Sequence, residues 1–96
     1  MIHINLFEKV GAFAENKDIA RSLRLEQIIP ALEKNQAVVL DFEHVDAATQ
    51  SFVHALISDL IRKYGREILD KISFKSCNEK VQKIIMIVSE YMQEGE

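Results

Sequence analysis

A nearly continuous apolar stretch in the middle of the chain, residues 37–42, constrains the fold more than any other feature. It contains the adjacent β-branched residues Val38 and Val39, and its one charged residue is Asp41. A strand of this composition is typical of a position buried on both faces, as in a parallel sheet covered by helices. We therefore expect this segment to lie near the centre of such a sheet.

Apolar residues at helical spacing follow the strand and predict a helix over residues 51–64. Two adjacent apolar rows form its buried face, and His54, Ser58 and Arg62 are expected on the opposite, exposed face. Gly65 is placed to end the helix, because glycine adopts the left-handed conformation that often terminates one.

A short strand and a last helix, near residues 79–92, are predicted in the C-terminal part. Ser76 is the expected N-cap of the helix, because Glu79 stands three residues later and completes a capping box. Asn78 is the alternative cap. The strand is indicated by two apolar residues that alternate with polar ones, Ile72 and Phe74.

The N-terminal part begins with alternating apolar residues, Ile2, Ile4 and Leu6, which predict a first strand. Val10 and Phe13, on either side of Gly11, indicate a second, short antiparallel strand.

A helix near residues 19–34 is predicted next, and Pro30 should kink or split it because proline lacks the backbone N–H. Arg21 falls on the apolar side and is expected to point toward the sheet and pair with a carboxylate, in either a structural or a functional role. The apolar face is formed by Leu25, Ile28, Ile29 and Leu32.

The order of these elements, β(β)αβαβα, predicts an α/β fold with a mixed sheet and covering helices. The 96 residues are enough for one hydrophobic core. A single domain is therefore expected over residues 1–92, followed by a frayed tail over residues 93–96 that has no apolar anchor.

The charge distribution argues against several function classes. The net charge is −3 and basic residues are not clustered, so nucleic acid is not an expected partner. The longest apolar run, residues 84–88, is too short to span a membrane, and the N-terminus alternates instead of forming a signal peptide. The single cysteine, Cys77, cannot form an internal disulfide. A cytoplasmic location is expected.

Several short motifs together give the chain a resemblance to a known fold. It resembles the STAS domain of bacterial anti-sigma factor antagonists and, more closely, a bacterial STAS-like family of unknown function. The residues that carry this resemblance are Arg21, Pro30, the stretch 40–42 with Val45, Ser51 and Phe52, and the helix start from Asn78 to Val81.

The resemblance implies a function for Ser51. In the antagonists, a partner kinase phosphorylates a serine at the start of the helix that follows the central strand, and Ser51 matches this position. The surrounding sequence differs, because the antagonists have Asp-Ser-Ser-Gly where this chain has Thr49, Gln50, Ser51 and Phe52. The chain also stops before the last strand and helix of a full STAS domain.

We therefore predict a non-enzymatic regulatory module that binds another protein, with Ser51 as a candidate phosphorylation site. The partner that the resemblance implies is a histidine-kinase-like ATPase or another signalling protein. Thr49 is the expected N-cap of the helix beside Ser51. The predicted partner-binding residues are Asp46, Thr49, Gln50, Ser51 and His54.

Two alternatives use the same region of the chain. Asp41, Glu43 and Asp46 lie at the C-terminal end of the central strand, where open α/β sheets bind ligands, so a metal-dependent or nucleotide-handling enzyme is one alternative. A subunit that senses a small ligand or acts as a scaffold is the other. No cofactor and no structural metal are expected, because the three histidines and Cys77 contain no close ligand pair.

Overall fold

Three parallel strands form the main sheet of this computed structural model, which describes the backbone of residues 1–94 and the side chains of residues 1–90. The strands β1 (Ile2–Asn5), β3 (Val38–Asp41) and β5 (Ile72–Lys75) lie in the order β1-β3-β5. Leu40 pairs with Ile4 on one side and with Phe74 on the other. The prediction that the apolar strand lies at the sheet's centre is confirmed, as is the α/β fold class.

The two faces of this sheet differ in burial. Ile4, Val38 and Leu40 are almost completely buried on the face that packs against the helices. On the other face His3 and Ser73 are exposed, and Val39 between them is only half-buried. The prediction that the central strand is buried on both faces is therefore wrong for Val39.

A separate sheet of two short strands, β2 (Phe13–Ala14) and β4 (Ala47–Ala48), pairs in parallel. The predicted antiparallel strand around Gly11 is wrong, and every strand pair described is parallel. The reason is α1 (Leu6–Val10), a helical turn that Asn5 caps by accepting a hydrogen bond from the Glu8 N–H. A helix directly after β1 prevents the tight turn that an antiparallel hairpin needs.

The predicted N-terminal helix is a continuous helical segment with a π-helical insertion. It consists of α2 (Lys17–Leu23), a π-helical stretch (Arg24–Ile28) and α3 (Ile29–Glu33). The Ile29 N–H bonds to the Arg24 carbonyl five residues earlier, so the helix widens directly before Pro30. The sequence predicts a kink or a split at Pro30, and the structure shows a π-helical turn directly before it.

The side chains that face the core along this segment differ from the predicted set. Arg21 is exposed and Leu25 is 50% exposed, so both were wrongly assigned to the buried face. Arg24 is buried in place of Arg21, with 8% of its surface accessible. The buried positions recur at helical spacing, and they are Ala20, Leu23, Arg24, Ile28, Ala31 and Leu32. Arg21 and Leu25 fall outside this row.

The two C-terminal helices are α4 (Gln50–Tyr64) and α5 (Glu79–Glu94), and a 3₁₀ helix (Arg66–Lys71) precedes β5. Gly65 ends α4 at a φ of 83° and donates its N–H to the Ile61 carbonyl, as predicted. The apolar rows of α4 are buried, and they comprise Phe52, Val53, Leu56, Ile57, Leu60 and Ile61.

The cap of α5 is the alternative residue, Asn78. Its Oδ1 accepts the Val81 N–H at 2.9 Å, whereas Ser76 has a φ of 57° and lies before the helix. The helix extends to Glu94, and residues 95–96 of the predicted tail lie outside the described residues. Within the described part of the chain, the helices are too short or too polar to cross a membrane.

Candidate functional site

The start of α4 is fixed in position by a side-chain cap and by the core. The Thr49 hydroxyl accepts the Phe52 N–H at 3.1 Å, which confirms Thr49 as the N-cap. The Phe52 side chain is completely buried directly below this turn. Ser51 lies between them and is exposed. A helix end anchored on both sides holds its first turn rigidly and leaves Ser51 accessible.

A cavity of about 500 Å³ opens at this helix start, between α2, α4 and α5. Gln50, Ser51 and His54 line it, so the structure brings together three of the five predicted partner-binding residues. The remaining lining residues are Lys17 from α2, Ala55 from α4, and Ile87 and Val88 from α5. We refer to this cavity as the α4 groove.

His54 is less exposed than the sequence predicts. It is half-buried and is hydrogen-bonded through Nδ1 to the Ser58 hydroxyl at 3.3 Å. Ser58 was predicted to be exposed but is only 2% accessible, because α4 packs against both α2 and α5. His54 is therefore paired with a serine one turn further along the helix, away from Ser51.

Asp46 and Thr49 do not line the α4 groove. Asp46 is exposed, its N–H donates to the Ala12 carbonyl, and its own carbonyl accepts the Asn78 side-chain amide at 2.7 Å. These contacts tie the loop after β3 to the start of α5. The structure thus separates Asp46 from the predicted group and assigns Thr49 the role of helix cap.

The predicted carboxylate cluster is also divided. Asp41 is buried, with Oδ2 at 2.8 Å from His3 Nε2 and Oδ1 accepting the Glu43 N–H at 2.9 Å. Glu43 instead contacts His44 at 3.3 Å. Among the described residues, no three His, Cys, Asp or Glu side chains converge at a spacing suited to a metal ion. The geometry gives no support to a magnesium site in this loop.

The hydrogen bonds of Asp41 favour its charged form. The backbone N–H of Glu43 and then the His3 side chain lower the pKa of Asp41 below its usual value of 3.8, although burial opposes this. His3 and Asp41 occupy diagonal positions on one face of the adjacent parallel strands β1 and β3. Correct strand alignment would have revealed this pair, whereas no short motif contains it.

Asp41→Asn should make stability less dependent on pH in the acidic range. A lowered folded-state pKa stabilises the fold above the unfolded-state pKa, and this contribution is lost as pH falls through the folded-state value. We expect Asp41→Asn to lower the free energy of unfolding by about 1–2 kcal/mol at pH 7, because its hydrogen bonds are weaker. The difference from wild type should shrink below pH 3.8 in urea unfolding. A constant difference down to the acid transition would contradict this assignment, and His3→Gln separates the histidine's contribution.

Cys77 is not an activated nucleophile. Burial of the thiol, and then the negative charge of Asp41, raise the pKa of Cys77. A reactive cysteine requires the opposite shift, because only the thiolate attacks. The surroundings of Cys77 therefore favour the neutral thiol.

The α/β architecture with parallel sheets fits a STAS-like domain. The family model for the STAS-like domain of unknown function (DUF4325) matches residues 20–82, which is more than half of the chain. The chain belongs to this family. Neither a curated protein nor a solved structure matches it.

Proposed function

We propose that this domain is a non-enzymatic regulatory module that binds another protein through the α4 groove. The observation that supports the proposal is the composition of the groove: polar Gln50, Ser51 and His54 lie beside Ile87, which is 38% exposed. Protein interfaces combine an apolar centre with a polar rim in this way. The partner class suggested by the STAS resemblance is a histidine-kinase-like ATPase or another signalling protein.

We further propose that phosphorylation of Ser51 regulates this interaction. Ser51 is exposed in the first turn of a 15-residue helix, where unpaired N–H groups and the helix dipole favour negative charge. Lys17 lines the same groove and supplies a positive charge, whereas Asp46 does not line it. A phosphate on Ser51 would therefore meet favourable charge inside the groove and change what the groove presents to a partner.

A small-ligand-sensing subunit is the second candidate function. A cavity of about 500 Å³ falls within the usual range for small-molecule sites. Calorimetry with nucleotides and Mg²⁺ distinguishes this candidate and the enzyme alternative from the protein-binding module. Heat of binding that Ile87→Glu abolishes would favour the ligand site.

The direct test is the affinity for a partner that is captured from the source organism, identified by mass spectrometry and then purified. We expect Ile87→Glu to weaken binding about tenfold or more, because it places a charge on the apolar part of the groove. Ser51→Asp should also change the dissociation constant. Leu25→Glu is the matched control, since Leu25 is 50% exposed but outside the groove. Equal binding by wild type, Ser51→Asp and Ile87→Glu would refute the proposal.

Unfolding curves on the same variants separate binding from folding. Ser51→Ala should cost well under about 1 kcal/mol, because Ser51 is exposed and does not cap the helix. Thr49→Ala should cost about 0.5–2 kcal/mol, because the Phe52 N–H loses its acceptor. If Ser51→Ala unfolds the domain, the side chain is structural and the proposed surface is wrong.

A further inference from the structure

The charge of the α4 groove is opposite in sign to that of the whole chain. The chain has a net charge of −3. Lys17 is nevertheless the one charged residue among the described side chains that line the groove. It is exposed, and no carboxylate of residues 1–90 forms an ion pair with it. The groove therefore carries a positive charge that this part of the chain does not neutralise.

The charged residues close to Lys17 in the sequence do not reverse this sign. Asp18 follows it directly but lines a different groove. Glu15 and Arg21 lie within four residues of Lys17, and both are exposed. They carry opposite charges and neither lines the α4 groove, so together they add no net charge beside it.

The charged residues of α4 and α5 leave the sign unchanged as well. Asp59 is the one acidic residue of α4, and it pairs with two arginines, at 3.1 Å and 3.2 Å. On α5, Lys83 and Glu90 lie one turn before and one turn after Ile87, so their charges offset each other. The charge that an occupant of the groove meets is therefore that of Lys17.

We propose that the occupant of the α4 groove is an acidic segment of the partner protein, which places a carboxylate against Lys17 and an apolar side chain against Ile87. A lysine ammonium group donates hydrogen bonds and accepts none, and a carboxylate is the protein group that both accepts them and carries the opposite charge. Ile87 is 38% exposed in the same groove and supplies the apolar contact. This inference rests on the proposed function, because it specifies the partner of the same groove.

The first test compares opposite charges at one apolar position, with the purified partner as the probe. Ile87→Lys and Ile87→Glu lose the same apolar contact, so a difference between them reports the sign of the partner's charge. For an acidic segment, Ile87→Glu should bind about tenfold more weakly than Ile87→Lys. Equally weakened binding by the two variants, or tighter binding by Ile87→Glu, would overturn the acidic segment and leave the protein-binding groove in place. Binding like wild type by both would refute the proposed function itself.

The second test reverses the charge of the groove. Lys17→Glu should weaken binding about tenfold or more, and the loss should shrink at high salt because ions screen the repulsion. The variant should fold, since Lys17 is exposed and is the first residue of α2, where an acidic side chain is favourable. Lys34→Glu is the control, because it changes the net charge equally at an exposed residue directly after α3 and outside the groove. Equal effects of the two variants would overturn the proposal.

The third test locates the carboxylate directly. A carbodiimide joins a lysine amine to a carboxylate that contacts it, without adding a spacer, and mass spectrometry identifies the two joined residues. We expect Lys17 to be joined to an aspartate or glutamate of the partner. Lys17→Arg should keep the affinity, because the positive charge remains, but lose this cross-link, because a guanidinium group does not react in its place. A complex in which the partner's carboxylates are joined only to other lysines of the domain would overturn the proposal.

Discussion

Phe52→Ala should lower the free energy of unfolding by about 3–5 kcal/mol, because it removes a fully buried aromatic side chain and leaves a cavity. A small domain has a free energy of unfolding of about 5–15 kcal/mol, so this one change removes a large part of the stability. Urea unfolding at pH 7 and 25 °C, followed by circular dichroism, measures the loss directly. The midpoint should shift far below that of wild type.

Phe13→Ala is the matched control for this experiment. The chemical change is identical, but Phe13 is 50% exposed on β2, so the expected loss is about 0.5 kcal/mol or less. Phe52→Leu retains most of the buried apolar volume and should fall between the two. If Phe52→Ala and Phe13→Ala lose equal stability, burial of Phe52 in the core is wrong.

The burial of Phe52 also bears on the proposed function. Antagonists have a small glycine after the phosphorylated serine, whereas this chain places Phe52 after Ser51. Its ring anchors the first turn of α4 in the core, and its N–H is held by Thr49. The α4 groove is consequently built on a rigid helix start, and modification of Ser51 would change the charge of the groove more than its shape.

The elements with strong, regular patterns were predictable from the sequence. The apolar rows of α4 follow the helical period over its whole length, and Gly65 ends it as expected. The nearly continuous apolar run predicts the central strand, because such a run is typical of a buried strand or helix segment. In each case many residues contribute to one signal, so individual exceptions do not obscure it.

The N-terminal helical segment shows where this reasoning fails. The apolar spacing assigns Arg21 and Leu25 to the buried face, but both side chains are exposed. Arg24 takes the buried position instead. Pro30 signalled a disturbance in the helix, yet the sequence does not distinguish a kink, a break and a wider turn.

The candidate site was predictable only in its local part. Thr49 as the cap and Ser51 as an exposed first-turn residue follow from neighbouring residues alone. Lys17 and Ile87 join the same groove from distant helices, and no local pattern indicates that they meet. The burial of Ser58 arises in the same way, because helices distant in the sequence pack against α4.

Asp59→Ala should destabilise the domain by about 2–3 kcal/mol, because it leaves a buried guanidinium without its carboxylate. Arg24 is 8% accessible, and its charge is held by Asp59 at 3.1 Å and by the Ala55 carbonyl. Its Nε has no hydrogen-bond partner within the described residues, so nothing else compensates the charge there. Asp59 is itself 49% exposed, which screens the pair and keeps the expected loss below that of a fully buried one.

Arg24→Met should cost less than Asp59→Ala, about 1 kcal/mol or less, because it removes the buried charge and retains an apolar chain of similar length. The double variant should then be more stable than Asp59→Ala alone, since the carboxylate is not needed once the guanidinium is absent. Arg62→Met is the control, because Arg62 contacts the same carboxylate at 3.2 Å but is exposed. This variant should lower the free energy of unfolding by about 0.5 kcal/mol or less. Urea unfolding of all four variants completes the cycle. Additive losses from Arg24→Met and Asp59→Ala in the double variant would show that the two side chains do not interact.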